Sequence, residues 1–514
     1  MKRIVLPTLA LLFVPAVPTS QQAEKLPHAV RTKRPHQLSY TIITAGLKPP
    51  TLEGGRTEIE MGDVDGDGHV DLVSVGDHGS PFIGTDQHGI MVWFGDGQGG
   101  FAVQMNGNFG YGGVALGDVN GDGLVDVGYG VHHDYSGGDF GDQLLEVALG
   151  DGTGINWTPW DDGLATSGET WGMFGTDFGD VDGDGDLDVG SNSFGCCAGV
   201  HVYLNNGDGT WTQSFGNLGG NSDMDFVFVD FDGDGNLDAF TANDQAIAWR
   251  GDGLGGFTDA HGNLPANSYR GIDGGDVNGD GRDEVVFSGF SGGLMIYSWT
   301  PGDLWLSVSS GLPASGSFDL PQLFDMDLDG NLDVAAFGDG LLEIYLGDGQ
   351  GTWIKTLSVD MPGSGSKNGA AFQVGGDFDH NGFPDITLIQ EEGGGPFTGG
   401  TNTLYALLES SSPGSLSITP VAPGPGRAWR QGQVRFVDWL SGVPGTDYGS
   451  VSIDYSSTGP GGPWTNLVTA EPNDGRVQIV VPSGIDSSGC HLRYTATNAA
   501  GSATAVGPAF RIEP

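Results

Sequence analysis

A chain of 514 residues with 94 Gly, 27 Pro and 17 % charged residues is too long for one compact core and too glycine-rich for a helical protein. Its 66 acidic residues against 19 basic ones give a formal net charge of -47, a surface that repels phosphate backbones and anionic membranes, so nucleic-acid and lipid-headgroup binding are excluded. Hydrophobic residues still make up 37 % and aromatics 10 %, enough to order a chain, so the acid is organised and not a sign of disorder.

Lys2 and Arg3 precede an apolar run from Ile4 to Val17 and then small residues. That order predicts an export signal over residues 1–20 in preference to a buried N-terminal strand, with cleavage between Ala16 and Ala23. No other apolar run approaches transmembrane length, so a secreted, periplasmic or cell-surface location without a membrane span is expected.

From Asp63 onward a nine-residue motif recurs seven times: DVDGDGHVD, DVNGDGLVD, DVDGDGDLD, DFDGDGNLD, DVNGDGRDE, DMDLDGNLD and DFDHNGFPD. The starts at Asp63, Asp118, Asp180, Asp230, Asp276, Asp325 and Asp377 lie 55, 62, 50, 46, 49 and 52 residues apart, a period suited to propeller blades. Oxygen side chains fall at positions 1, 3, 5 and 9, and a Gly at position 6 allows the sharp turn. Copy by copy these are Asp63, Asp65, Asp67 and Asp71; Asp118, Asn120, Asp122 and Asp126; Asp180, Asp182, Asp184 and Asp188; Asp230, Asp232, Asp234 and Asp238; Asp276, Asn278, Asp280 and Glu284; Asp325, Asp327, Asp329 and Asp333; Asp377, Asp379, Asn381 and Asp385. Alternate residues of a tight loop point inward together, so each copy offers carboxylates to a hard cation, with the position-7 carbonyl and water completing the shell. The position-7 residues range from His69 to Arg282 and Phe383, which fits use of the backbone alone. In all, 25 of the 66 acids sit at these positions, and calcium, at up to seven ions, suits them better than the stricter octahedron of magnesium.

An EF-hand is excluded twice over. Position 12, its bidentate acid, holds Ser74, Tyr129, Ser191, Thr241, Phe287, Ala336 and Leu388, and the flanks LVSVG, DVGYG and EVVFSG are short β-rich runs. Four strands fit each period, the third ending in a Gly-Asp-Gly-type turn before an aromatic such as Phe101, Trp211, Phe257 or Trp353, which is placed to pack between sheets. After copy seven the fourth strand is missing, and QLSYTIITAGL, residues 37–47, is expected to supply it and close the ring.

These repeats resemble the FG-GAP/VCBS family of calcium-loop propellers, found in integrin α-chain heads, fungal lectins and exported bacterial proteins; the resemblance covers residues 37–409. It implies a calcium-stabilised propeller presenting a recognition surface. Glu284 in copy five and Asn381 with Pro384 in copy seven depart from the pattern and imply weaker loops.

Past a linker at 410–416, the runs QVRFVDW, SVSIDYSS, RVQIVVP, HLRYTATNAAG and AFRIEP predict a small β-sandwich over residues 417–514. Its YTATNAAGSATAVGPAFRI segment resembles the last strands of fibronectin type III or Ig-like modules, which implies an accessory or spacer with the Tyr in the core. The fold class is therefore all-β, a seven-bladed β-propeller followed by a small β-sandwich.

Three cysteines make no disulfide framework: adjacent Cys196 and Cys197 are a vicinal pair or two thiols, and Cys490 lies in the sandwich. Chain topology puts the longer connections on the face opposite the metal loops. There the candidate ligand-binding residues are His132, His133, Asp134 and Tyr135, with Trp171, Tyr269 and Arg270 around the central opening. Aromatic faces stack on sugar rings, so the reading is a monomeric recognition or adhesion module for an extracellular glycan or protein. The competing reading is a secreted polysaccharide lyase or hydrolase using His132, His133 and Asp134; no nucleophile elbow, zincin helix, Walker loop or Rossmann fingerprint accompanies them.

Overall fold

The structure, a computed structural model, describes residues 36–47, 57–76, 88–105, 112–131, 140–165, 172–193, 199–216, 225–242, 248–265, 270–289, 292–393 and 401–514, with the backbone alone at 51–52, 108–109, 247 and 269. The export signal expected at 1–20 lies outside these residues. The described residues form strands and no helix, and seven antiparallel sheets of four strands follow one another along the chain as propeller blades.

Blade one runs Glu60–Gly62, Asp71–Val75, Ile90–Gly95 and Phe101–Gln104, with each strand hydrogen-bonded to the next. Its second strand is buried on both faces, as a strand between neighbouring blades must be, and carries Leu72, Val73 and Val75. Outer strands are half wet: Trp353–Asp360 buries Trp353 and turns Ile354, Lys355 and Thr356 outward. The seventh sheet joins Lys367–Val374, Ile386–Glu392 and Thr401–Glu409 to the distant strand Tyr40–Ile43, with Tyr40 opposite Glu409 and Ile43 opposite Ala406. N-terminal residues thus supply the outer strand that the sequence lacks after copy seven.

Two devices hold blade to blade. The motif's position-2 residue shares a core cluster with the outer-strand aromatic of the next blade: Val64 with Trp157, Val119 with Trp211, Val181 with Phe257, Phe231 with Trp305 and Val277 with Trp353. Phe378 closes the circle on Phe101, ring centroids 5.2 Å apart. Around the axis, a carboxylate on or just before one inner strand accepts a backbone N–H of the next: Glu58 from Val114, Asp177 from Phe228, Asp225 from Ile272, Asp273 from Leu323 and Asp319 from Gly369, at 2.6–3.0 Å. The inner strands crowd there, and a Cβ on Gly113 would stand 1.8 Å from the Phe174 carbonyl oxygen.

The C-terminal region packs a three-stranded sheet, Thr419–Ala422, Val434–Leu440 and Arg476–Val480, on a six-stranded one. The larger sheet contains Ala428–Arg430, Ser450–Ser456, Thr465–Pro472, Ser487–Asn498, Gly501–Val506 and Phe510–Glu513. Val437, Trp439, Val451, Ile453, Leu492, Tyr494 and Phe510 fill its core, and the Tyr494 hydroxyl donates to the Ala422 carbonyl at 2.6 Å. Thr419–Ala422, Ala428–Arg430 and Thr465–Pro472 were not among the strands read from the sequence. Cys490 is buried and unbridged; Cys196 and Cys197 lie outside the described residues.

The sandwich does not trail behind a linker as a detached spacer. It docks on the propeller face that carries the motif loops. Arg427 holds Asp283 through two hydrogen bonds of 2.5 and 2.9 Å, and Arg430, Arg435 and Arg511 donate to the carbonyls of Asp234, Gly235 and Gly233 at 2.8–2.9 Å. Gln478 exchanges two hydrogen bonds with the Asp118 backbone, Val443 N–H donates to the His380 carbonyl, and Tyr448 reaches Gly97. Val434, Arg435, Phe436 and Arg476 also close one end of an axial cavity of about 360 Å³ between the inner strands.

Candidate metal centres

Each motif loop is organised by its own carboxylates before any cation is considered. In the first, Asp63 at position 1 accepts the N–H of Gly66 at 2.7 Å on one oxygen and of Gly68 at 2.7 Å on the other. Asp65 accepts from Asp67, and Asp67 from His69, so the backbone is folded back around successive acids. Gly66 and Gly68 have φ of 74° and 88°, left-handed geometry that a side chain would resist.

Position 9 does something the spacing does not reveal. Asp71 is fully buried and clamps the loop to the third strand, accepting Val64 N–H on Oδ2 and Gly95 N–H on Oδ1. Asp126, Asp188, Asp238, Asp333 and Asp385 repeat this pair of bonds. In copy five the longer Glu284 accepts from Val277 N–H and the Asn278 amide.

Three carboxylates converge with ligand oxygens within 4.8 Å of one another in five loops: Asp63, Asp65 and Asp71; Asp180, Asp182 and Asp188; Asp230, Asp232 and Asp234; Asp325, Asp327 and Asp333; Asp377, Asp379 and Asp385. Copy seven, expected to be weak, is among them. The two loops without such a triplet, copies two and five, are those with Asn120 and Asn278 at position 3, where an amide oxygen replaces a carboxylate. Burial pushes Asp71 and Asp188 up to about 8 and Asp126, Asp230 and Asp325 up to about 7, against backbone N–H groups that pull most of them down. Loops of oxygen donors crowded this closely need protons or a cation, and the donor set is that of a hard divalent ion. These residues fit calcium.

Residues 63–129, 230–287 and 325–388 each match the FG-GAP-like repeat family. Every matched segment spans two motif loops. The loop at Asp180, with carboxylates at all four positions, falls outside them. No curated protein sequence matches the chain significantly. Among solved structures, the chain is similar to BBS1N in complex with ARL6DN at 10 % identity, covering 73 % of this chain and 98 % of that one, TM-score 0.42. It is similar to the SapL1 lectin in complex with alpha methyl fucoside at 14 % identity, covering 61 % and 99 %, TM-score 0.34.

Of the expected ligand-face residues, Arg270 is described in full. It forms an ion pair with Asp319, which stands just before the inner strand of the neighbouring blade, and its charge acts on the buried Glu391 of a third. His132, His133, Asp134, Tyr135 and Trp171 lie outside the described residues, and for Tyr269 only the backbone is described. Asp283 was missed by sequence reasoning, although a signal existed: an acid stands where the other copies have Val70, Val125, Leu187, Leu237, Leu332 or Pro384. Its carboxylate accepts Asp230 N–H at 2.8 Å while holding Arg427.

Proposed function

We propose that this protein is an exported, calcium-stabilised recognition module that binds an extracellular glycan or surface protein on the propeller rim opposite the motif loops. The observation that carries the reading is the division of labour between the two faces. The loops that would hold calcium lie on the face on which the sandwich docks, through Arg427, Arg430, Arg435 and Arg511, leaving the opposite rim for a partner. Calcium in the loops makes the blades rigid, and the sandwich, as a fibronectin type III or Ig-like accessory, braces them.

A glycan array run in calcium and in chelator, beside a turnover assay on the same polysaccharides, tests the reading. Calcium-dependent retention without product supports it. Product release that disappears in a His132→Ala, His133→Ala double variant overturns it in favour of a lyase or hydrolase.

A further inference from the structure

The seven motif loops are alike in sequence but not in how far solvent reaches them. Five keep an exposed residue at positions 4 to 6: Gly66 and Asp67 in copy one, Gly121, Asp122 and Gly123 in copy two, Gly183 and Asp184 in copy three, Asp280 in copy five and Gly330 in copy six. In copies four and seven no residue from position 1 to position 9 is exposed. Asp230 and Asp238 are 3 % and 0 % exposed, and Asp377, Asn381 and Asp385 are 6 %, 5 % and 0 %.

The cover comes from the sandwich, and it falls on the same three positions in both loops. In copy four the carbonyls of Gly233, Asp234 and Gly235 accept Arg511, Arg430 and Arg435 at 2.8–2.9 Å, and a Cβ on Gly235 would stand 3.3 Å from the Arg430 Cγ. In copy seven the His380 carbonyl accepts Val443 N–H at 2.8 Å, and Asn381 pairs with Gly442 as an antiparallel bridge. A Cβ on Gly382 would stand 2.8 Å from the Gly442 nitrogen, and the Tyr448 ring lies on His380 with centroids 4.2 Å apart. Both loops keep a converging carboxylate triplet under this cover: Asp230, Asp232 and Asp234 in one, Asp377, Asp379 and Asp385 in the other.

A hard cation leaves a loop of oxygen donors as water takes over its ligands in turn. Where positions 4 to 6 face solvent, that exchange needs no movement of the chain. Beneath arginines and backbone it waits for the sandwich to lift, an opening whose rarity is set by the docking contacts. We propose, resting on the calcium reading of these loops, that the sandwich traps the ions of copies four and seven while the other loops exchange theirs with the surroundings. Those two blades stand nearly opposite each other in the ring of seven sheets, so both sides of the propeller keep an ion when external calcium falls. The sandwich is then a lock on part of the metal content, and its arginines act on the loops through backbone carbonyls that they hold in place.

The test saturates the full-length chain with calcium, counts bound ions by metal analysis, then mixes the protein with excess chelating fluorophore and follows release in time. Two phases are expected, the slow one with an amplitude of two ions per chain, one each from copies four and seven. In the triple variant Arg430→Ala, Arg435→Ala, Arg511→Ala the total should hold while one ion moves from the slow phase to the fast one. A single fast phase in the wild type, or a slow phase unchanged in the variant, overturns the trap and leaves the calcium reading standing; a chain that binds no calcium overturns both. Should the variant not fold, the wild type in sub-denaturing urea takes its place. Its slow rate should rise in step with protease cleavage at 410–416, and a slow rate that does not follow cleavage overturns the trap.

Discussion

Residues 37–409 carry 58 of the 66 acidic residues and 7 of the 19 basic ones, whereas residues 417–514 carry 7 acidic residues and 6 arginines. The sandwich is close to neutral and stands on an apolar core with Trp429 and Trp439 at its centre. The propeller has apolar clusters between its blades, but its loop face concentrates like charge that its own side chains cannot neutralise. The contrast teaches where the compensation comes from: cations within the loops, and arginines brought by the sandwich to the loops of blades four and five. The two regions are electrostatically complementary, and each of the following measurements breaks or sharpens that relation.

The largest effect is expected from deleting residues 37–47, which strips Tyr40–Ile43 from the seventh sheet and leaves Thr401–Glu409 as an open edge. The truncated chain should aggregate and lose cooperative unfolding in calorimetry and light scattering. A melt identical to the full chain would show that the ring does not depend on this strand.

Chelation comes next. Each loop held at a hundredfold excess of calcium over its Kd contributes about 2.7 kcal/mol, so removing the ion should lower the propeller's thermal midpoint markedly. The sandwich keeps its own core, and its transition should move far less. A single transition shifting as one in chelator would mean that docking, and not each core, sets the stability of both regions.

Arg427→Ala leaves the Asp283 carboxylate, 8 % exposed, without its cationic partner. Breaking such a pair costs about 3 kcal/mol, and protease cleavage near residues 410–416 should accelerate if the sandwich loosens. Unchanged cleavage would place the docking energy in Arg430, Arg435 and Arg511.

A pH dependence is expected from the axial cavity. Burial raises Glu60 from its ordinary 4.5 to about 8, Arg476 opposing the shift, and Asp273 rises to about 7 for the same primary reason. The folded state therefore binds a proton that the unfolded state releases, and this contribution is complete below pH 4.5 and lost as pH rises to about 8. In constant calcium, Glu60→Gln should match the wild type below pH 4.5, gain on it up to about pH 8, and hold that gain above. Denaturant melts across this range measure the difference; parallel curves would mean that Glu60 is ionised in the folded protein.

The repeat was legible because a motif that must turn sharply and present oxygens at alternate positions leaves little freedom in residue type, so Asp63 to Asp71 announces itself and its six copies. The seven sheets and the pairing of the N-terminal strand with Thr401–Glu409 follow from counting strands against motifs. Some features have no local signature, since they depend on what the ring brings together. Asp71 reads as a cation ligand in sequence, yet in the fold it also clamps Val64 to Gly95, a third strand 24 residues away. Glu58, Asp225 and Asp273 look like scattered acids until neighbouring blades place an N–H group against each. The sandwich could be recognised from its alternating strands, but not its seat on the loop face, because Arg427 meets Asp283 across 144 residues and only tertiary packing makes them a pair. Local turn chemistry is written in consecutive residues; burial and counter-charge are properties of the assembled surface, and those were decided by the fold.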